Sequence, residues 1–239
     1  GALCYCYSGQ CLFSSIIGGR SGNRGRCAQP CRLSYEVLQG EKSLTGHHAT
    51  PILSLKDMCT LPFLYELADH GVYSFKIEGR MKTALYVAVV TRTYREAIDD
   101  YYTSKELYES KMEHYREEIA ACTFRQFTTG FYYGKPNEET QIYDCNTYVK
   151  NRVYLGTVEE VTAAGELVIH QKNKFCVGDA IEVMAFDGEN VDVEVLAIHD
   201  EHGTEMESAP HPKQLLCVKV SNSEKIRKGM IIRTRHCAA

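Results

Sequence analysis

The sequence predicts an α/β chain: the carboxy-terminal part of a TIM-barrel-like parallel domain, followed by a small β-barrel. Three observations carry that reading. Between residues 50 and 104 extended and helical patterns alternate, which is the grammar of a parallel sheet. From Val149 the texture changes to short alternating β segments separated by turns, with no helical stripe between them. Only two or three βα units are legible, whereas a full eightfold barrel takes about 250 residues before any added domain. The 239 residues therefore divide into a partial α/β domain over 1–140 and a β-barrel domain over 141–239, with the boundary between Gly134 and Asn151. Opening on Gly1 rather than methionine, the chain reads as a processed product or a piece cut from a longer protein.

Residues 1–17 read as one or two strands, LCYCY leading and CLFSSII following, which feed an arginine-bearing loop from Gly18 to Pro30. RLSYEVLQGEK predicts a strand and a hairpin turn at Gly40, and HHATPILSLKD returns as extended chain, with His47 and His48 as ordinary turn residues. TLPFLYELADHG reads as a short helix, with Thr60 as cap, Pro62 in the first turn and Gly71 after the last. VYSFKIEG reads as a strand. MKTALYVAVVTRTYREAIDDYY reads as a long helix with its apolar stripe through Leu85, Ala88, Val89 and Tyr94. KELYESKMEHYREEIAA over 105–121 predicts one more amphipathic helix, and Cys122 after it a packed thiol. The aromatic pairs around Gly130 suit base stacking or core packing. Beyond the boundary, RVYLGTVEEV, GELVIH, DAIEVMAF, VDVEVLAIHD, QLLCVKV and GMIIRTR predict a closed or nearly closed barrel of about six strands.

Composition narrows the function classes. A formal charge of −4 argues against a wholesale basic coat for nucleic acid, and residues 145–239 carry 11 basic against 14 acidic residues. Locally the balance reverses: residues 1–40 hold Arg20, Arg24, Arg26 and Arg32 against Glu36 alone, a concentration suited to a phosphate or a small dicarboxylate. Eleven cysteines are an odd count in a chain that is not small, several of them in apolar runs, which argues against a secreted disulfide scaffold and for a reducing cytoplasm. No secretory or membrane-spanning apolar run is visible. Zincin, nucleophile-elbow and phosphate-loop motifs are missing, and Ser8 and Ser14 have no evident histidine partner.

The densest chemistry lies at the amino-terminal end. Cys4, Cys11, Cys27 and Cys31 stand among glycines, Pro30 and polar residues rather than on an apolar face, as a ligand set would. Four thiolates repel one another and need neutralising, which iron or zinc supplies. Only Cys27 and Cys31 are close in sequence, a looseness compatible with a [4Fe–4S] cluster; zinc and unliganded or disulfide cysteines stay open. Cys6 competes with Cys4 for a place in the set. Cys145, Cys176, Cys217 and Cys237 are too dispersed for a metal and read as structural thiols. Lys56, Asp57, Lys76, Glu78 and Arg80 fall where two extended segments end, the usual seat of catalytic groups in parallel folds, with a salt-bridged loop network as the alternative.

GALCYCYSGQCLFSS, then NRGRCAQPCRLSY, then SLKDMC followed by KIEGR resemble the signature of the U32 family, long labelled collagenase-like peptidases, and the resemblance covers nearly the whole chain. It implies an enzyme. Relatives in that family place a hydroxyl on carbon 5 of a pyrimidine in RNA, on the wobble uridine of transfer RNA or a cytidine of ribosomal RNA, with prephenate as oxygen source; others hydroxylate a ubiquinone precursor. The β extension makes transfer RNA the favoured substrate, and a second protein of the family is a further implied partner. By the resemblance Cys4, Cys11, Cys27 and Cys31 are the [4Fe–4S] ligands. Arg20, Arg24 and Arg32 would meet prephenate carboxylates or RNA phosphates. Lys56 or Lys76 would protonate or orient the transferred oxygen opposite Asp57 or Glu78, with Arg80 in the same motif. The older label implies a peptidase instead, and a partial barrel leaves room for a binding module inactive alone.

Overall fold

The computed structural model describes residues 4, 6–7, 10–79, 82–122, 124–143 and 151–235. Its internal contacts fall into two compact units that interleave along the chain, 1–79 with 124–149 and 80–123 with 150–239.

The first unit is built around the segment 54–59. β3, Asp57–Met58, pairs in parallel with β4, Phe127–Thr128, while Leu55 bridges Gln141 on its other side. Backbone bonds extend the clamp: the Lys56 amide donates to Thr140, that of Asp57 to Gln126 and that of Cys59 to Thr128, at 2.9–3.0 Å. The hairpin expected at Gly40 is present as β1, Leu38–Gln39, against β2, Lys42–Ser43. Gly40 takes the left-handed conformation, φ 62°, that such a turn asks of its glycine. The short helix expected after Thr60 forms as a 3-10 turn over Leu61–Phe63 running into α2, Leu64–Asp69, though the Thr60 side chain makes no capping bond.

Three expectations about this unit change. CLFSSII is not a strand: Phe13–Gly18 forms helix α1, closed by Gly19 in the left-handed conformation, whose amide bonds the Ser14 and Ser15 carbonyls. VYSFKIEG does not become a strand, because a strand needs a neighbouring strand to pair with and no strand among the described residues pairs with it. For the same reason no TIM-barrel wall forms; parallel pairing among the described residues amounts to β3 against β4.

In the second unit three helices accompany the barrel. α3, Ala84–Thr103, starts at Thr83, whose hydroxyl accepts from the Tyr86 amide, and buries Leu85, Tyr86, Val89, Val90, Thr93 and Ala97. The single helix expected over 105–121 breaks at Lys111 into α4, Lys105–Ser110, and α5, Met112–Ala120. Lys111 turns its ammonium onto Asp100 (2.8 Å) and Glu96 (3.4 Å) of α3.

The six expected strands are all present: β5 Tyr154–Val161, β6 Leu167–Gln171, β7 Ala180–Met184, β8 Val191–His199, β10 Leu215–Val220 and β11 Ile231–Thr234. A two-residue strand β9, Glu205–Met206, adds to β8. Around the sheet β10, β6, β5, β11, β7 and β8 pair antiparallel in turn, and β8 pairs back to β10, so the barrel closes and leaves those six without a free edge. Alternate residues such as Val158, Ile169, Val183, Val195, Val218 and Ile232 fill the interior. Gly156 has no room for a side chain, since a Cβ there would come within 2.7 Å of Ile169. On β11 the residues that point away from this interior, Ile231 and Arg233, are buried as well.

Candidate functional site

Residues 10–36 fold into a compact loop around α1. The buried Ser14 hydroxyl accepts the Ala28 amide at 2.9 Å, and Tyr35 donates to the Pro30 carbonyl at 2.7 Å, which fixes the stretch bearing Cys27 and Cys31 against the helix. Gly22 stands between Cys11 and Cys27: a side chain there would meet Cys27 Cβ at 3.7 Å and the Cys11 carbonyl at 4.0 Å. Gln29, held at φ 57°, aims its amide at the Cys27 sulfur, 3.3 Å away. That N–H to sulfur bond is the kind of contact that tunes thiolate ligands. Nothing local in the sequence signals the left-handed Gln29, so it went unnoticed there.

Cys4, Cys11, Cys27 and Cys31 are all free thiols. Burial pushes the Cys31 thiol up; the Arg32 guanidinium pulls it down, and Cys27, Cys4 and Cys11 push it up again. As the side chains stand, no group of three or more histidine, cysteine or acidic residues among the described ones is arranged to hold a metal ion. Of the arginines, Arg32 is half-buried beside Cys31, Arg24 is exposed, and Arg20 turns its Nε to the Arg26 carbonyl at 3.0 Å.

Lys56 and Asp57 diverge, as neighbours on an extended segment must. Asp57 is buried, its carboxylate accepting the Arg125 amide at 3.0 Å, and Arg125 donates in turn to Ser54 at 2.8 Å. Lys56 is half-buried and lines a cleft of about 680 Å³. Lys76 and Glu78 are exposed while Phe75 and Ile77, which alternate with them, are half-buried, so the alternation persists without a sheet. Arg80 lies outside the described residues.

Cys122 is the packed thiol expected, donating to the Ile119 carbonyl. Cys217 donates to Glu166 at 3.3 Å, and burial followed by that carboxylate pushes its thiol up. Cys145 and Cys237 lie outside the described residues. Among the described residues no helix is long and apolar enough to cross a membrane.

These features define a class: an α/β unit with an arginine-flanked thiol loop, joined in one chain to a closed six-stranded barrel. Residues 1–142 match the model of peptidase family U32 and residues 150–233 that of the peptidase family U32 C-terminal domain, and the chain belongs to this family. It is 33% identical, over 96% of its length and 56% of the relative's, to tRNA hydroxylation protein P1 of Bacillus subtilis. It is 36% identical to a collagenase of Porphyromonas gingivalis, over 65% of this chain and 38% of that one. Among solved structures, the C-terminal domain of a U32 protein from Geobacillus thermoleovorans aligns at 28% identity with a TM-score of 0.32, over 34% of this chain and 99% of that one. The chain spans about half the length of the curated relatives it matches.

Proposed function

We propose that this chain works in the 5-hydroxylation of the wobble uridine of transfer RNA, with prephenate as oxygen donor and a [4Fe–4S] cluster held by Cys4, Cys11, Cys27 and Cys31. The observation that carries the reading is the loop that sets Cys27 across Gly22 from the Cys11 carbonyl with an amide on its sulfur, in a chain similar along 96% of its length to a tRNA hydroxylation protein. The donor set fits the cluster chemically: four free thiols, an amide already directed at one sulfur, and a guanidinium beside another. When bound, such a cluster supplies one-electron chemistry or stiffens its loop. Arg20, Arg24 and Arg32 neutralise prephenate carboxylates or RNA phosphates through charge-assisted bonds. Lys56 or Lys76 protonates or orients the transferred oxygen, and Glu78 is the opposing acid–base group. Asp57, buried on the Arg125 amide, positions the Lys56 segment rather than exchanging protons with substrate.

Iron and acid-labile sulfide in anaerobically purified protein test the ligand set. Wild type and Cys6→Ala should retain both, and Cys27→Ala should lose them; wild-type protein devoid of iron removes the redox reading. Modification profiling of RNA from cells lacking the gene tests the reaction, through loss of a carbon 5 hydroxyl at the wobble uridine. Loss at a ribosomal cytidine instead would reassign the substrate. The collagenase relative favours a second reading, peptide hydrolysis. Cleavage of denatured collagen that disappears in Lys76→Ala and Glu78→Ala variants would establish it.

A further inference from the structure

The cleft beside Lys56 has an unusual rim. Phe127 and Tyr133 line it together with Lys56 and Lys135, and Glu139 is its single acidic lining residue. Neither lysine forms a salt bridge among the described residues, so the cleft keeps a positive excess. The turn that follows β4 exposes three consecutive rings: Phe131 is 64% exposed, Tyr132 53% and Tyr133 62%. Apolar rings displayed side by side mark an interaction surface, because folding alone gains nothing from leaving them in water.

Two of these rings, and Phe127 in the cleft, are held in place. Tyr132 and Tyr133 pack on the buried Phe63, with centroids 4.7 and 5.2 Å away, and the Tyr133 hydroxyl donates to Glu66 at 2.9 Å. Phe127 stacks on Phe124 at 4.6 Å with the rings 10° from parallel. Gly130, at φ 66°, makes the turn, and its amide donates to the Thr128 hydroxyl. Rings immobilised before binding lose little entropy when a flat partner settles on them.

We propose that this lysine and aromatic cleft is a docking site for single-stranded RNA, in which Lys135 takes a backbone phosphate, the rings of the 131–133 turn stack on unpaired bases and Lys56 faces the bound strand. Cations beside fixed aromatic faces are what an unpaired strand requires and a duplex cannot use, since its bases are already stacked. The proposal deepens the RNA-directed reading above and rests on it, placing the bound strand beside Lys56.

The test is binding of a fluorescein-labelled twelve-nucleotide oligouridylate to the protein, followed by anisotropy without prephenate. Phe131→Ala, at an exposed position, should weaken binding by about 5-fold or more. Lys135→Ala should reduce the slope of log affinity against log salt by about 0.7, the share of one single-strand phosphate. Lys42→Ala, on the exposed hairpin of the same unit, should change neither. Equal affinity for an RNA duplex or for polyglutamate, or wild-type affinity in Phe131→Ala, overturns the proposal. Because the assay involves no hydroxylation, a failed modification profile leaves its outcome readable, and a failed binding assay leaves the profile readable.

Discussion

Arg233 lies wholly buried on β11, where a charge survives only with partners. It has two: its Nε donates to Glu182 and its Nη2 to Glu118 at 3.0 Å. Burial pulls the guanidinium down, but the two carboxylates outweigh it and hold it above its ordinary value. Removing Glu182 would leave the cation half-compensated in the interior. Glu182→Ala is therefore expected to cost about 3–5 kcal/mol, read from urea denaturation; a loss under 1 kcal/mol would mean that water reaches the arginine. At the surface Asp200 illustrates a weaker device. It accepts the Thr204 and His202 amides in the turn between β8 and β9, and those bonds hold its carboxyl below the usual value of 3.8. The sign follows directly: the turn is fully braced above that value and loosens as pH falls through the lowered one. Amide shifts of His202 and Thr204 should move together with that acidic midpoint, and shifts that titrate at or above 3.8 would refute the assignment.

Among the elements, α3 is where sequence and structure agree most closely. Its stripe repeats at helical spacing and its cap is a threonine directly before the first turn, both local signals. Thr83→Ala should cost about 1 kcal/mol and fray the first turn, detected as faster hydrogen exchange at Tyr86 and Val87; unchanged protection would show that packing alone sets the start. The break at Lys111 is different in kind. KELYESKMEHYREEIAA reads as one continuous helix, yet Lys111 meets Asp100 and Glu96, and Tyr115 donates to Asp100 at 2.5 Å. Those partners belong to another helix, and no window of neighbouring residues contains them.

At the scale of the molecule, side chains of α3 and α5 are bonded into the barrel. Arg92 donates to the Ala185 and Gly188 carbonyls and to Asn190, and Arg233 grips Glu118. Residues 80–123 should consequently unfold with 150–239 as one cooperative unit. Native-state hydrogen exchange should give Val89 and Val183 the same opening free energy, and earlier opening of Val89 would place the helices outside that unit. The linear order suggests otherwise, since those helices follow the cysteine loop and precede the boundary near residue 140. Read without neighbours, the sequence determined what is local: six barrel strands by alternation, the Gly40 hairpin by its turn residue, α3 by its period, and the cysteine loop by composition. Tertiary structure alone decided that VYSFKIEG forms no strand among the described residues, that Asp57 turns inward while Lys56 lines a cleft, and that Arg233 is buried on β11. Pattern reports which face of an element is apolar, whereas pairing, burial and charge compensation depend on residues far away in the chain that only folding brings close.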